Sequence, residues 1–283
     1  MSDPIRPTPA ATQDPQGLPG SGESADDPRK SVVQRNIARV RESLRLASEG
    51  AGRGAPLLVA VTKAVDDDVA RFALEAGCED LGENRADAFA QRAQRFRALG
   101  FSPRWHFIGH LQRNKVRRVL EHADVLHSID SDRLGATVAR IAEELGRPIE
   151  VYVQVNLTGE DEKGGYSADE AAAAALLLAN SPALTVRGLM AMGPLRGIRT
   201  PEEVFEGARD LARSLEMEIG HAFLNGRCEL SMGMSSDAAL AAELGSDLVR
   251  VGSALYEGLP APPSEDQPLH ATSPDAPTGP QAD

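Results

Sequence analysis

The stretch LLVAVTKAV, residues 57–65, is an apolar run rich in valine that contains a single cation, Lys63. Short runs of this kind, bounded by turn residues, are typical of a strand buried on both faces of a parallel sheet. Side chains alternate along a strand, so Val59, Val61 and Lys63 share one face. If that face lines an interior, the amine points into it, and buried amines readily adopt the uncharged form that attacks an aldehyde. The competing interpretation of this stretch is a lysine just past a strand end with its ammonium in water.

Outward from this stretch, apolar strands alternate with amphipathic helices through residues 29–259. Seven further strands are predicted, each followed by a helix except perhaps the last. They lie near Leu81, at 105–108, 124–130, 150–157, 186–192 and 228–234, and within 246–258. Eight such units match a single α/β domain of the (β/α)8 TIM-type barrel class in count and length. The alternative is an open doubly wound sheet, but no Gly-x-Gly-x-x-Gly stands between a strand and a helix.

The ends of the sequence differ from its centre. Apolar residues recur at helical spacing between about 30 and 49, which predicts an extra helix before the first strand. Residues 1–28 and 260–283 are rich in proline and poor in large apolar side chains, a composition that cannot offset the entropy of ordering. The predicted organisation is therefore a disordered tail at 1–28, one barrel domain at 29–259 and a second disordered tail at 260–283.

Composition narrows the class of ligand and the compartment. A net charge of -12 and a pI near 5.0 disfavour a general binder of nucleic acid and favour a small ligand held locally. Two distant cysteines, Cys78 and Cys228, indicate reduced core residues of a cytoplasmic protein. The longest apolar run, at 171–179, is too short to cross a bilayer, and no export signal is recognised, so no membrane partner is expected.

In a barrel, ligand chemistry belongs at the carboxyl ends of the strands. The segment MGMSS at 232–236 places Ser235 at a predicted helix start, and VGS at 251–253 offers a glycine amide and a hydroxyl, so together they can surround a phosphate. Arg250 shares a strand face with Gly252 and can point inward. The residues predicted at these strand ends are Lys63, Asn84, His106, Ser128, Asn156, Met190, Met234, Ser235, Arg250, Gly252 and Ser253.

The motifs around these positions resemble those of the YggS/PROSC family of pyridoxal 5'-phosphate (PLP) homeostasis proteins, relatives of the alanine racemase N-terminal barrel. The resemblance covers about residues 30–258 in order. Three positions, Arg85, His110 and Ser253, depart from the tyrosine, proline and threonine that are common there in the family. The motifs are AVTK (60–63), GENR (82–85), WHFIGHLQRNK (105–115), VN (155–156), KGG (163–165), RGLMAM (187–192), SMGMSSD (231–237) and VRVGSALYEG (249–258).

The resemblance implies PLP as the cofactor and implies a binding role for seven residues, with no catalytic residue and no metal. They are Lys63 as the point of attachment through a Schiff base, Ser235, Gly252 and Ser253 at the phosphate, Arg250 at the pyridine nitrogen, and Asn84 and His106 along the pocket.

Little or no turnover is expected from that arrangement. Arginine does not give up its proton, so the pyridine nitrogen opposite Arg250 stays unprotonated and the cofactor is a poor electron sink. Racemases of this barrel type also use a tyrosine from a second, β-rich domain, for which no room is expected after Gly258; the three tyrosines all lie in the barrel region. The expected role is intracellular PLP homeostasis by a monomer, with PLP and apo forms of PLP-dependent enzymes as partners.

Two other functions compete with this interpretation. One is a PLP-dependent, racemase-like enzyme in which Lys63 and His106 carry protons. The other is a cofactor-free aldolase that forms its Schiff base directly between Lys63 and a sugar phosphate.

Two further patterns favour structural interpretations. His106 and His110 are four residues apart, but Gly109 interrupts the segment and no glutamate accompanies them, so a metal site is not expected. The basic residues at 113–118 lack interleaved aromatic side chains, which indicates a solvated helix face rather than a nucleic-acid surface.

Overall fold

Eight strands and eight helices alternate along residues 27–260, the part of the chain that the computed structural model describes. All neighbouring strands are parallel and follow sequence order, and the last pairs with the first, through Leu57 beside Leu248 and Ala60 beside Val251. The predicted (β/α)8 barrel is confirmed, and the open doubly wound sheet is excluded. The strands are β1 (Leu57–Val61), β2 (Asp80–Glu83), β3 (Arg104–Phe107), β4 (Val125–Ile129), β5 (Ile149–Gln154), β6 (Leu184–Met190), β7 (Glu229–Ser231) and β8 (Leu248–Val251).

The helices form the outer layer of the barrel. Across residues 27–260, no helix has the length and apolar character that crossing a bilayer requires. They are α1 (Pro28–Gly50), α2 (Asp67–Glu75), α3 (Ala86–Ala98), α4 (Val116–Leu120), α5 (Asp132–Leu145), α6 (Ala171–Ala179), α7 (Pro201–Ile219) and α8 (Ala238–Glu243), with short 3-10 turns at Arg113–Lys115, Asp161–Lys163, Gly220–Ala222, Leu224–Gly226 and Ser253–Leu255.

Helix α1 is the extra helix that the sequence predicts, packed outside the barrel against α2 and α8. It begins at Pro28 because the Asp27 carboxylate accepts a hydrogen bond from the amide of Arg29 and proline fits the first helical position. Its buried stripe includes Val33, Ile37 and Leu44, as helical spacing requires. The two predicted disordered tails lie outside the described residues, apart from the residues at their inner edges.

Helix α8 is shorter than predicted. The expected start at Ser235 is wrong, because Met234 and Asp237 close a turn in which the Met234 amide donates to the Asp237 carboxylate at 2.6 Å. The amide of Asp237 in turn donates to the Met234 carbonyl at 3.1 Å, and the helix begins only at Ala238. Ser235 therefore lies in the turn that joins β7 to α8.

The barrel interior carries polar side chains as well as apolar ones. Tyr152, Val125 and Met190 pack together there as a small apolar cluster, separate from the larger core between strands and helices. His127 of β4 is hydrogen-bonded to Ser231 of β7, two strands that are not neighbours, so this bond crosses the interior. Barrel interiors are usually filled by branched apolar side chains, and this departure lies directly below the candidate site.

Candidate functional site

A cavity of about 1010 Å³ lies at the carboxyl ends of the strands. Pockets of this size hold small molecules and cofactors, and this end of a barrel is where ligands bind. Its walls are largely apolar, with Val61, Ile108 and Met190 among them. Six of the seven predicted binding residues line it: Lys63, Asn84, Ser235, Arg250, Gly252 and Ser253.

Lys63 lies two residues beyond the end of β1. The residue is exposed, so it lies at the mouth of the cavity. The sequence predicts that the amine points into the barrel if this strand face lines an interior, and the structure does not place it that deep. It nevertheless lines the same cavity as Arg250. The sequence identified the correct strand end and did not indicate the depth of the amine.

The backbone around Lys63 is held by Arg92 of α3, a residue that the sequence analysis missed. Arg92 donates from Nη1 to the Thr62 carbonyl at 2.6 Å and from Nη2 to the Val65 carbonyl. Its Nη1 also reaches the buried Glu83 carboxylate at 2.5 Å, which accepts a second bond from the Thr62 hydroxyl at 2.6 Å. The segment that carries Lys63 is therefore fixed on both sides by charge-assisted hydrogen bonds.

Backbone amides converge at the ends of β7 and β8. The Ser235 hydroxyl oxygen accepts from the amide of Gly252 at 3.1 Å and from that of Ala254 at 3.4 Å. Within residues 27–260, the amides of Ser235 and Ser253 themselves donate no hydrogen bond. Free amides and hydroxyls at such a point form an anion-binding concavity that suits a phosphate.

Arg250 is a buried cation at the floor of the cavity, with 5% of its surface exposed. It donates from Nη1 to the Ser231 hydroxyl at 2.5 Å and from Nη2 to the Ala191 carbonyl at 3.2 Å, and it makes no salt bridge within the described residues. Burial lowers the pKa of Arg250 to about 10, so it stays charged at neutral pH. Because a guanidinium has five N–H donors and a buried charge needs compensation, an acceptor from a ligand would complete its surroundings.

Two buried oxygens in the cavity wall have no hydrogen-bond partner in the described part of the chain: Asn84 Oδ1 and the hydroxyl of Tyr256. Burial raises the pKa of the Tyr256 phenol, so it remains protonated at neutral pH. The Asn84 backbone is packed so closely on Gly109 that a Cβ on the glycine would lie 2.1 Å from the Asn84 carbonyl oxygen. Unsatisfied buried oxygens at a cavity indicate a place for ligand polar groups.

His106 is the predicted residue that does not line this cavity. It lies inside the barrel with 1% of its surface exposed, and it borders a separate cavity of about 470 Å³ at the amino ends of the strands. Its Nε2 is hydrogen-bonded to Asp80 Oδ1 at 2.8 Å, and its Nδ1 to His127 Nε2 at 2.8 Å. Its position does not support direct contact with a ligand at the carboxyl ends of the strands.

The other polar strand-end residues stabilise loops. Ser128 donates to the Gly109 carbonyl at 2.6 Å, and Asn156 donates to the Glu160 carbonyl at 2.8 Å. His110 is exposed and lies 3.2 Å from Asp130, away from the buried His106, so the two histidines do not share a site. Across residues 27–260, no group of three or more histidine, cysteine, aspartate or glutamate side chains is arranged to hold a metal ion.

Three of the four basic residues at 113–118 pair with carboxylates of neighbouring helices. Lys115 and Arg118 both contact Asp87, and Arg117 contacts Glu144. Exposed pairs of this kind are typical of a solvated helix face.

Residues 34–260 match the family model of the alanine racemase N-terminal domain. The pyridoxal phosphate homeostasis protein of Escherichia coli K12 is 33% identical over 231 residues, covering 79% of this chain and 95% of that protein. The protein of the same name from Pasteurella multocida is 31% identical over 228 residues, covering 80% and 97% respectively. These matches confirm the resemblance that the motifs carry.

Solved structures of other proteins are also similar to this chain. PipY of Synechococcus elongatus PCC7942, solved with PLP bound, has a TM-score of 0.69 and 32% identity, covering 79% of this chain and 99% of that one. An alanine racemase from Streptomyces coelicolor A3(2) has a TM-score of 0.61 at 21% identity, covering 80% of this chain and 58% of that one, and shares the fold.

Proposed function

Because the chain belongs to the alanine racemase N-terminal domain family, and within it to the pyridoxal phosphate homeostasis proteins, we propose that it binds PLP in the cavity and acts in intracellular PLP homeostasis. One observation carries the proposal. An amine, a buried cation that has no carboxylate partner among residues 27–260, and the amides of Ser235 and Ser253, which donate no hydrogen bond there, line a single cavity. PLP presents an aldehyde, a pyridine nitrogen and a phosphate, which are the three complementary groups.

Each group of the ligand has a partner. Lys63 would hold the aldehyde carbon through its Nζ as a Schiff base, with the aldehyde oxygen lost as water. The hydroxyls and amides of Ser235 and Ser253, together with the backbone at Gly252, would hold the phosphate, and Arg250 would donate to the pyridine nitrogen. Asn84 lines the same cavity and offers a buried oxygen that lacks a donor in the described residues.

Turnover is low in this proposal. PLP supplies an electron sink for carbanions when its ring nitrogen is protonated. Arg250 keeps its own proton at neutral pH because its pKa, although lowered by burial, is still about 10. Arg250 would therefore give the ring nitrogen a hydrogen bond and no proton, which would keep the electron sink weak.

The racemase-like alternative has one observation in its favour, since Tyr256 lines the cavity and its hydroxyl has no partner in the described residues. A racemase needs a second acid/base besides the lysine. Burial raises the pKa of the Tyr256 phenol, which makes it a poor base at neutral pH. We therefore place binding ahead of catalysis.

The exposure of Lys63 at the cavity mouth suits a protein that exchanges its ligand with apo-enzymes. Cys78 and Cys228 are buried free thiols, as expected in the reducing cytoplasm. We place the protein there as a monomer. Sedimentation would test the monomer, and transfer of PLP to an apo-enzyme faster than through free PLP would test the exchange.

The proposal is tested by adding PLP to the purified protein and following the absorption of the bound ligand, with Lys63→Ala beside it. Lys115→Ala is the matched control, because Lys115 pairs with Asp87 on the helical face, away from the cavity. We expect a near-visible band in the wild type and in Lys115→Ala, its loss in Lys63→Ala, and no racemisation of amino acids. Absence of the band in the wild type would overturn PLP binding, and rapid racemisation would favour the enzyme.

A further inference from the structure

A single chain of hydrogen bonds crosses the barrel interior from Asp80, the first residue of β2, to Arg250 at the floor of the cavity. Asp80 Oδ1 is 2.8 Å from His106 Nε2, and His106 Nδ1 is 2.8 Å from His127 Nε2. His127 Nδ1 is 2.8 Å from the Ser231 hydroxyl, which accepts from Arg250 at 2.5 Å. The two histidines and the serine are almost completely buried.

The two ends of the chain fix its direction. Arg250 can only donate and a carboxylate can only accept. Burial lowers the pKa of His106 and of His127 below the ordinary value, so both rings are neutral and each carries one N–H. The order of donation is then Arg250 to Ser231, Ser231 to His127, His127 to His106 and His106 to Asp80, with both histidines protonated on Nε2.

The two rings differ in the charges around them. At His106, burial is the largest influence and lowers the pKa together with the nearby charge of Arg104, against the opposing carboxylates of Asp80 and Asp124. His127 faces Arg104, Arg187 and Arg250, and all three disfavour its protonation. His127 also stacks on Tyr152, with the ring centroids 4.8 Å apart. The Tyr152 hydroxyl donates to Glu229 at 2.8 Å.

Such a chain is costly unless every bond is made, because buried polar groups without partners lose their hydration. Here His106, His127 and Ser231 each have a partner on both sides, and the chain ends on the buried guanidinium of Arg250 in the cavity. The Ser231 proton is used by His127, which leaves the oxygen lone pairs to accept from Arg250. The orientation of Arg250 therefore depends on residues as distant as Asp80.

We propose that Asp80, His106, His127 and Ser231 are positioning residues that hold the Arg250 guanidinium for the ring nitrogen of the ligand. This inference rests on the proposed function, since it assigns Arg250 to that nitrogen. It gives His106 a role that acts through Arg250 and not by contact with the ligand.

The chain itself is tested in the protein without ligand, by NMR of protein labelled with ¹⁵N-histidine. We expect the rings of His106 and His127 to be neutral, with the proton on Nε2, from pH 6 to pH 8. In Ser231→Ala the Nδ1 resonance of His127 should move toward that of a nitrogen without a hydrogen bond. A charged ring, or a proton on Nδ1 of either histidine, would overturn the directed chain whether or not the protein binds PLP.

The positioning role is tested by titrating PLP into Ser231→Ala. Ser48→Ala is the matched control, because Ser48 is also a fully buried serine but donates to the Leu44 carbonyl within α1. Loss of one hydrogen bond to a charged group predicts about tenfold weaker PLP binding in Ser231→Ala, and about twofold or less in Ser48→Ala.

The far end of the chain gives a second comparison. Asp80→Asn keeps an acceptor for His106 and should bind PLP within about threefold of the wild type, whereas Asp80→Ala removes it and should weaken binding further. The absorption maximum of the bound ligand should shift in Ser231→Ala, a change that a loss of stability alone does not produce. Wild-type affinity and an unshifted maximum in a folded Ser231→Ala would overturn the positioning role, whereas failure of the wild type to bind would overturn the proposed function.

Discussion

Arg92 donates to the carbonyl oxygen of Thr62 at 2.6 Å, on the residue that directly precedes Lys63. The same guanidinium donates to the Val65 carbonyl. The two ends of the segment 62–65, which contains Lys63, are therefore attached to one side chain of α3. An attacking amine must be held close to its target geometry, because small displacements are costly in rate. The Lys63 segment is thus fixed by a helix and not only by the strand that it follows.

Arg92→Leu should slow the attachment of PLP to Lys63 and destabilise the fold by about 2–4 kcal/mol, because it leaves the buried Glu83 carboxylate without its cation. Stopped-flow absorption and urea unfolding measure the two effects. Arg95→Leu is the matched control: Arg95 is an exposed neighbour on α3 that pairs with Asp67, and its loss should cost about 1 kcal/mol or less. Equal effects of the two substitutions would contradict the role of Arg92.

Ser235→Ala should weaken binding of PLP about three- to tenfold, because it removes the hydroxyl on which the amides of Gly252 and Ala254 converge. Pyridoxal, which lacks the phosphate, is the internal control, and its affinity should change little. Isothermal titration with both ligands separates the two cases. A parallel loss for both would mean that Ser235 does not serve the phosphate.

The free energy of unfolding should fall as the pH is lowered, because His106 and His127 are buried histidines. Burial lowers both pKa values in the folded protein, whereas an unfolded histidine titrates near 6.5. Below that pH the unfolded chain takes up protons that the folded chain does not, so stability is lost as the pH falls, by up to about 1.4 kcal/mol per pH unit for each histidine.

Urea unfolding between pH 7 and pH 5 measures this slope. It should be shallower in His127→Gln and unchanged in His110→Gln, which replaces an exposed histidine. A wild-type slope in His127→Gln would show that His127 does not contribute to the acid sensitivity.

Gly109→Ala should destabilise the protein by about 1–3 kcal/mol and disturb the cavity, because its Cβ would lie 2.1 Å from the Asn84 carbonyl oxygen and the backbone must move. Gly54→Ala, where a Cβ meets nothing within 4 Å, is the matched control. Thermal unfolding and PLP titration follow both effects. A Gly109→Ala protein with unchanged stability and affinity would mean that the Asn84 loop adapts freely.

The eight alternating strand and helix units were enough to predict the barrel, and the positions of Lys63, Arg250 and Gly252 at strand ends were enough to place them at one end of it. Strand alternation did not separate His106 from them, because it gives the face of a residue and not its depth. His106 precedes the last residue of β3 and faces the interior below the cavity.

Arg92 and His127 were missed for a different reason. Arg92 is one of several arginines on α3, and only its contacts across the chain distinguish it from its exposed neighbour Arg95. In the sequence, His127 is one residue of a predicted apolar strand. Its hydrogen bond to Ser231 joins residues that are 104 positions apart. Contacts between distant elements of this kind carry no periodic signal in a single sequence.

Peptide mapping after borohydride reduction of the PLP-loaded protein tests the attachment most directly, because reduction makes the carbon–nitrogen bond permanent. The expected result is one modified peptide, with the added mass on Lys63. Modification spread over surface lysines such as Lys115, or confined to a lysine outside the cavity, would contradict attachment at Lys63.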